Sequence, residues 1–76
     1  MSKLPLVSGK DLVKALRRVG FVVIQQRGSH IRLEKSLPTE TLKVTIPDHK
    51  EIAPKTLASI LSVARISKED LRDLLR

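Results

Sequence analysis

The apolar positions near the start of the chain recur at the spacing of a helix. Leu12 and Leu16 lie four residues apart, so they share one helical face. Ser8 precedes them and is followed by Asp11 three residues later, a pattern typical of a helix N-cap. Gly20 follows the apolar run, where glycine commonly ends a helix. The pattern predicts an amphipathic helix between Ser8 and Gly20.

After this helix the pattern becomes that of strands. Residues 21–24 are β-branched or aromatic and predict a first strand, and residues 28–29 (Gly-Ser) predict a tight hairpin turn. Apolar and polar residues alternate in the second strand, which places Ile31 and Leu33 on one face. The opposite face carries His30, Arg32 and Glu34.

A third strand follows a second turn at residues 36–40 and ends at Pro47. Lys43 and Thr45 share its polar face. Its apolar face holds Leu42, Val44 and Ile46.

Two further helices are predicted in the last third of the chain. Pro54 stands where proline favours a first helical turn, and Ser67 with Asp70 predicts the cap of a short last helix. The longer helix has an apolar face formed by Leu57, Ile60, Leu61 and Ala64. The predicted fold is α+β, in the order αβββα with a small extra helix, and its three-stranded antiparallel sheet packs on two helices. His30, Arg32 and Lys43 would then lie on the open face.

Length and composition restrict the class of protein. The chain has 76 residues, which predicts a single domain spanning residues 1–76. It contains no cysteine, no apolar run long enough to span a membrane, and no signal-peptide stretch in residues 1–5. We therefore expect a cytoplasmic protein without disulfides.

The charge is strongly positive and unevenly distributed. The formal net charge is +7, and residues 66–76 hold three charges of each sign, so the whole excess lies in residues 1–65. Such a surface attracts nucleic-acid phosphates or an acidic protein, although it can also serve solubility alone. Phe21 is the only aromatic residue, so stacking of bases on exposed rings is not expected.

His30 is the candidate catalytic residue. It follows the predicted turn on the polar face, where Arg32 lies two residues along and Arg27 lies opposite if the turn has two residues. Histidine exchanges protons near neutral pH, and arginines stabilise charge developing on a phosphate. The alternative interpretation is a histidine on the surface of a basic protein, which residue types alone favour.

The remaining chemistry-bearing residues give weaker signals. His49 lies in a predicted loop between Asp48 and Lys50, where local charge pairing explains it. Lys55 stands at a helix start suited to a phosphate, but an ordinary cap is equally compatible. The two histidines and the carboxylates show no metal-ligand spacing, so we expect no metal and no cofactor.

Five blocks of the sequence resemble the HicA family in order and spacing. These blocks are Leu4–Leu12, Leu16–Phe21, Arg27–His30, Val44–His49 and Thr56–Leu61. The resemblance implies a double-stranded-RNA-binding-domain-like fold, a toxin that cleaves mRNA, and a cognate HicB-type antitoxin that masks it. It assigns the catalytic histidine to His30. Many members of the family have glycine where this chain has Arg65, so the resemblance does not predict the geometry at the end of the second helix.

The sequence as a whole predicts a metal-independent endoribonuclease that acts on mRNA. His30 is expected to act as the base, and phosphate contacts are expected from Arg27, Ser29, Arg32, Lys43 and Lys55. Two alternatives remain open. One is an RNA-binding module without catalysis, and the other is an interaction protein whose basic face binds an acidic partner.

Overall fold

A computed structural model describes residues 4–76 as one helix, three strands and two further helices. The elements are α1 (Gly9–Arg18), β1 (Val22–Arg27), β2 (His30–Ser36), β3 (Thr41–Pro47), α2 (Pro54–Ala64) and α3 (Lys68–Leu74). This order confirms the predicted α+β fold. Residues 1–3, part of the start in which no signal peptide was expected, lie outside the described residues.

Helix α1 begins and ends where its sequence predicts. The Ser8 hydroxyl accepts a hydrogen bond from the Asp11 backbone N–H at 3.1 Å, which satisfies one of the free donors of the first turn. Leu12 and Leu16 are fully buried. Gly20 follows the helix at φ 104°, a conformation that favours glycine. The amphipathic spacing therefore sets both the length of α1 and the face that it buries.

The three strands form one antiparallel sheet in the order β1-β2-β3. The alternation predicted for β2 and β3 is confirmed, because alternate residues are buried from His30 to Leu33 in β2 and throughout β3. The buried set is Ile31, Leu33, Leu42, Val44 and Ile46. These side chains form one core with the apolar faces of α1 and α2, so both helices cover the same face of the sheet. The other face is open.

Strand β1 lies at an edge of the sheet, as β3 does, but it differs from the other two strands because all six of its residues are exposed. Phe21, just before it, is buried at 2% exposure. The pairing with β2 shifts by one residue between Val23 and Gln25, which leaves Ile24 as a bulge. A bulge of this kind changes which side chains share a face, and the sequence pattern did not predict it.

The end of α2 and the start of α3 are stabilised by different interactions. Helix α2 ends at Ala64, and the C-cap residue Arg65 adopts the left-handed conformation at φ 60° and ψ 43°. The Arg65 guanidinium donates to the Glu40 carboxylate at 2.7 Å. Helix α3 is capped by the Ser67 hydroxyl, which accepts from the Asp70 N–H, and it buries Leu71. The predicted caps are confirmed, and arginine takes the conformation for which glycine is usual.

Within residues 4–76, no helix is long and apolar enough to cross a membrane.

Candidate active site

The β1–β2 hairpin places His30 beside two arginines. Arg27 pairs directly with His30 across the hairpin, so the turn contains only Gly28 and Ser29. Gly28 has φ 56°, which its lack of a side chain permits without strain. Arg32 follows His30 by two residues and shares its face. The predicted two-residue turn is confirmed, and with it the position of Arg27 opposite His30.

The open face is organised as rows of residues that run across the strands. One row joins Arg27, His30 and Pro47, and the next joins Gln25, Arg32 and Thr45. Together these rows border a shallow groove of about 330 Å³. Its lining residues are Gln25, Arg27, His30, Arg32 and Thr45. Three of the residues singled out in the sequence therefore meet here, together with two that were not singled out.

The other predicted phosphate contacts lie outside this lining. Ser29 is in the hairpin turn, where its carbonyl accepts from the Asp48 N–H at 2.7 Å. Lys43 is exposed on the open face and is paired in the sheet with Glu34. Lys55 is exposed in the first turn of α2. These residues could contact a long polyanion beyond the groove, but they do not surround His30.

His49 takes part in the fold through its backbone. Its carbonyl accepts from the Gly9 N–H at 2.9 Å, which ties the loop after β3 to the start of α1. A side chain on Gly9 would collide with the Pro47 carbonyl oxygen. The His49 side chain itself is exposed. This close packing fixes the loop, and the His49 imidazole does not line the groove described around His30.

The groove is positively charged. Two of its five lining residues are arginines, and none of them is a carboxylate. Among residues 4–76, neither Arg27 nor Arg32 has an ion-pair or hydrogen-bond partner for its guanidinium. The same part of the chain contains no group of three His, Cys, Asp or Glu side chains that could hold a metal ion. An exposed imidazole between two unpaired guanidinium groups can exchange a proton beside a bound phosphate.

Comparison with protein families connects this geometry to a known group. A family model described as the HicA toxin of bacterial toxin–antitoxin systems matches residues 9–66. The chain belongs to the HicA toxin family. A comparison with curated proteins finds no match.

The HicA match covers the part of the fold that builds the groove. It runs from the first residue of α1 through all three strands and α2, and it ends before α3. All five lining residues fall inside it. Membership in the HicA family assigns the chain to a toxin–antitoxin system and implies a cognate antitoxin as partner.

The sequence predicted Arg27, His30 and Arg32 as site residues but not the uncharged Gln25 and Thr45. Thr45 could have been found, because it shares the polar parity of β3 with Lys43. Gln25 could not have been placed by counting from Phe21. Strict alternation from that buried residue would put Gln25 on the core side, and only the bulge at Ile24 brings it to the groove.

Proposed function

We propose that this HicA-family toxin is an endoribonuclease that cleaves mRNA, with His30 as its catalytic residue. The observation that carries the proposal is the placement of the exposed His30 imidazole between Arg27 and Arg32 in one groove. Ribonuclease chemistry without a metal ion needs a proton acceptor beside a cationic phosphate site, and this groove offers both.

The reaction uses the 2′-hydroxyl of the substrate as its nucleophile. The His30 imidazole removes the proton from that hydroxyl, and the oxygen attacks the adjacent phosphorus. The bond from phosphorus to the 5′-oxygen breaks, and the leaving oxygen takes a proton from protonated His30 or from water. The products are a 2′,3′-cyclic phosphate and a 5′-hydroxyl. Arg27 and Arg32 stabilise the negative charge on the phosphoryl oxygens as it develops.

Single-stranded regions of mRNA are the substrate that suits this face best. The groove is shallow and lies on an open sheet, so an extended strand can lie across it. Arginine contacts to phosphates are independent of sequence and supply affinity. The sugar 2′-hydroxyl, which the mechanism requires, distinguishes RNA from DNA.

The antitoxin that the HicA family implies should cover this same face. A toxin with an open, cationic cleavage site needs its site blocked, and an acidic partner surface would associate with it rapidly. Val22, Val23 and Ile24 are exposed on β1, the strand that also carries Gln25 and Arg27 of the groove. Val22 pairs with Glu34 on the open face, and exposed apolar surface of this kind is commonly buried by a partner. A complex in which the antitoxin leaves His30 accessible would contradict this part of the proposal.

The test compares two histidine variants on the same substrates. The purified wild-type protein should cleave a single-stranded RNA in excess EDTA and leave the DNA of the same sequence intact. His30→Ala should abolish cleavage while retaining RNA binding, whereas His49→Ala should remain active. Mass spectrometry of the products should show cyclic or 3′ phosphates.

Two results would contradict the proposal. Cleavage that survives His30→Ala would assign the chemistry to another residue. RNA binding without any cleavage by the wild-type protein would instead indicate a binding module, and a binding affinity that falls steeply with salt would show that phosphates hold the RNA.

A further inference from the structure

Gln25 and Thr45 flank Arg32 in the second row of the groove and carry no charge. We propose that they form a subsite for one RNA base, in which the Gln25 amide hydrogen-bonds to the base edge next to the scissile phosphate. Cleavage would then depend on the identity of that base. The inference rests on the proposed ribonuclease function and adds a determinant of specificity to it.

The spacing of the two rows fits neighbouring parts of one RNA strand. His30 and Arg32 are two residues apart on β2, which separates the rows by about 6.8 Å along the strands. This distance is comparable with the repeat of an extended RNA chain. A phosphate held between Arg27 and His30 therefore places the adjoining nucleotide over the row of Gln25, Arg32 and Thr45.

The polar groups of this second row are available to a ligand. Among residues 4–76, neither the Gln25 amide nor the Thr45 hydroxyl has a hydrogen-bond partner in the protein. The neighbouring Gln26 differs, because its amide donates to the Gly28 carbonyl at 3.4 Å. An amide offers one donor group and one acceptor, the combination that reads the edge of an unstacked base.

Hydrogen bonding is the means of base selection that this groove provides. Phe21, the only aromatic residue of the chain, is buried in the core, so it cannot stack with a base. The bulge at Ile24 brings Gln25 onto the groove while Phe21 keeps its core position. Bulges often occur next to active sites, where they redirect a side chain. The bulge in β1 therefore also positions Gln25 for the proposed base subsite.

The experiment measures base preference by two readouts that are independent of each other. Wild type, Gln25→Leu, Gln25→Glu and Thr45→Val are each given a randomised single-stranded RNA pool, and the cut sites are sequenced. The same substitutions are made in His30→Ala protein, and the RNA that this protein retains from the pool is sequenced. Gln26→Glu is the matched control, since it makes the same charge change on the same strand outside the groove lining.

We expect one position beside the cut to show a base preference that Gln25→Leu reduces about tenfold. Gln25→Glu should move the preference toward guanine, whose Watson–Crick edge presents two donors to a carboxylate. Thr45→Val should weaken the preference less, and Gln26→Glu should leave it unchanged while lowering overall affinity.

Identical base preferences in wild type, Gln25→Leu and Gln25→Glu would overturn the subsite, as would a failure of every variant to retain RNA. A Gln25-dependent enrichment in the retained RNA, without cleavage by the wild type, would support the subsite and contradict the ribonuclease proposal. The two inferences can therefore fail separately.

Discussion

The two faces of the sheet use neighbouring residues of the same strands for opposite purposes. On the covered face of β2, Ile31 and Leu33 are buried against α1 and α2. On the open face, His30 and Arg32 are exposed and line the groove. Adjacent residues of the strand therefore differ in role, because one stabilises the fold and the next is available to a ligand.

This difference means that stability and activity should respond to different substitutions. The covered face contributes apolar burial, which is the dominant stabilising term in a small domain. The open face contributes cations and an imidazole whose solvation changes little on folding. Substitutions on the two faces of β2 should therefore separate the free energy of unfolding from the rate of cleavage.

The largest effect on stability should come from Leu33→Ala. Leu33 has 0% exposure, and truncating a buried leucine lowers the free energy of unfolding by about 2–5 kcal/mol. His30→Ala, three positions earlier on the open face, should change it by less than about 0.5 kcal/mol. Urea denaturation followed by circular dichroism measures both. Equal losses of stability in the two variants would show that the faces are not separate.

Within the open face, Arg27→Gln and Arg32→Gln should slow cleavage about 10- to 100-fold each, because a hydrogen bond to a charged group contributes about 1.5–3 kcal/mol. Lys55→Gln removes the same charge from the first turn of α2, outside the groove lining, so it should slow cleavage much less. Single-turnover rates at fixed ionic strength make the comparison. A Lys55→Gln effect as large as that of Arg32→Gln would place the phosphate elsewhere.

The fold could be predicted from the sequence where burial alternates cleanly. Strand β3 and the first half of β2 bury every second residue, and the caps at Ser8 and Ser67 use local hydrogen bonds. Alternation and capping both depend on residues close together in the chain, so they can be predicted from the sequence. The position of His30 beside Arg27 followed from a turn of two residues, which is also a local feature.

Strand β1 could not be predicted as well, for a physical reason. It is an edge strand with both faces exposed, so no burial pattern fixes its register. The core position of Phe21 and the tight turn after Arg27 impose opposite alternations on the residues between them. The bulge at Ile24 resolves that conflict. The bulge depends on pairing with β2, so the position of Gln25 in the groove could not be predicted from the sequence.

A smaller effect on stability is expected at the end of α2. Arg65 adopts φ 60°, a conformation that costs a residue with a side chain about 1–2 kcal/mol. Its ion pair with Glu40 is exposed, with 58% and 44% of the two side chains accessible. Exposed pairs of this kind contribute only about 0.2–1 kcal/mol. The backbone, rather than the ion pair, should therefore dominate the response to substitution.

Arg65→Gly and Arg65→Ala separate these two contributions, because both remove the ion pair and only glycine relieves the backbone. The glycine variant should be more stable than the alanine variant by about 1 kcal/mol. At Ala58, an exposed position inside α2, the order should reverse, since glycine within a helix costs about 0.5–1 kcal/mol relative to alanine. Thermal denaturation of the three variants and the wild type measures both differences. If alanine were the more stable residue at both positions, the left-handed end of α2 would not exist in solution.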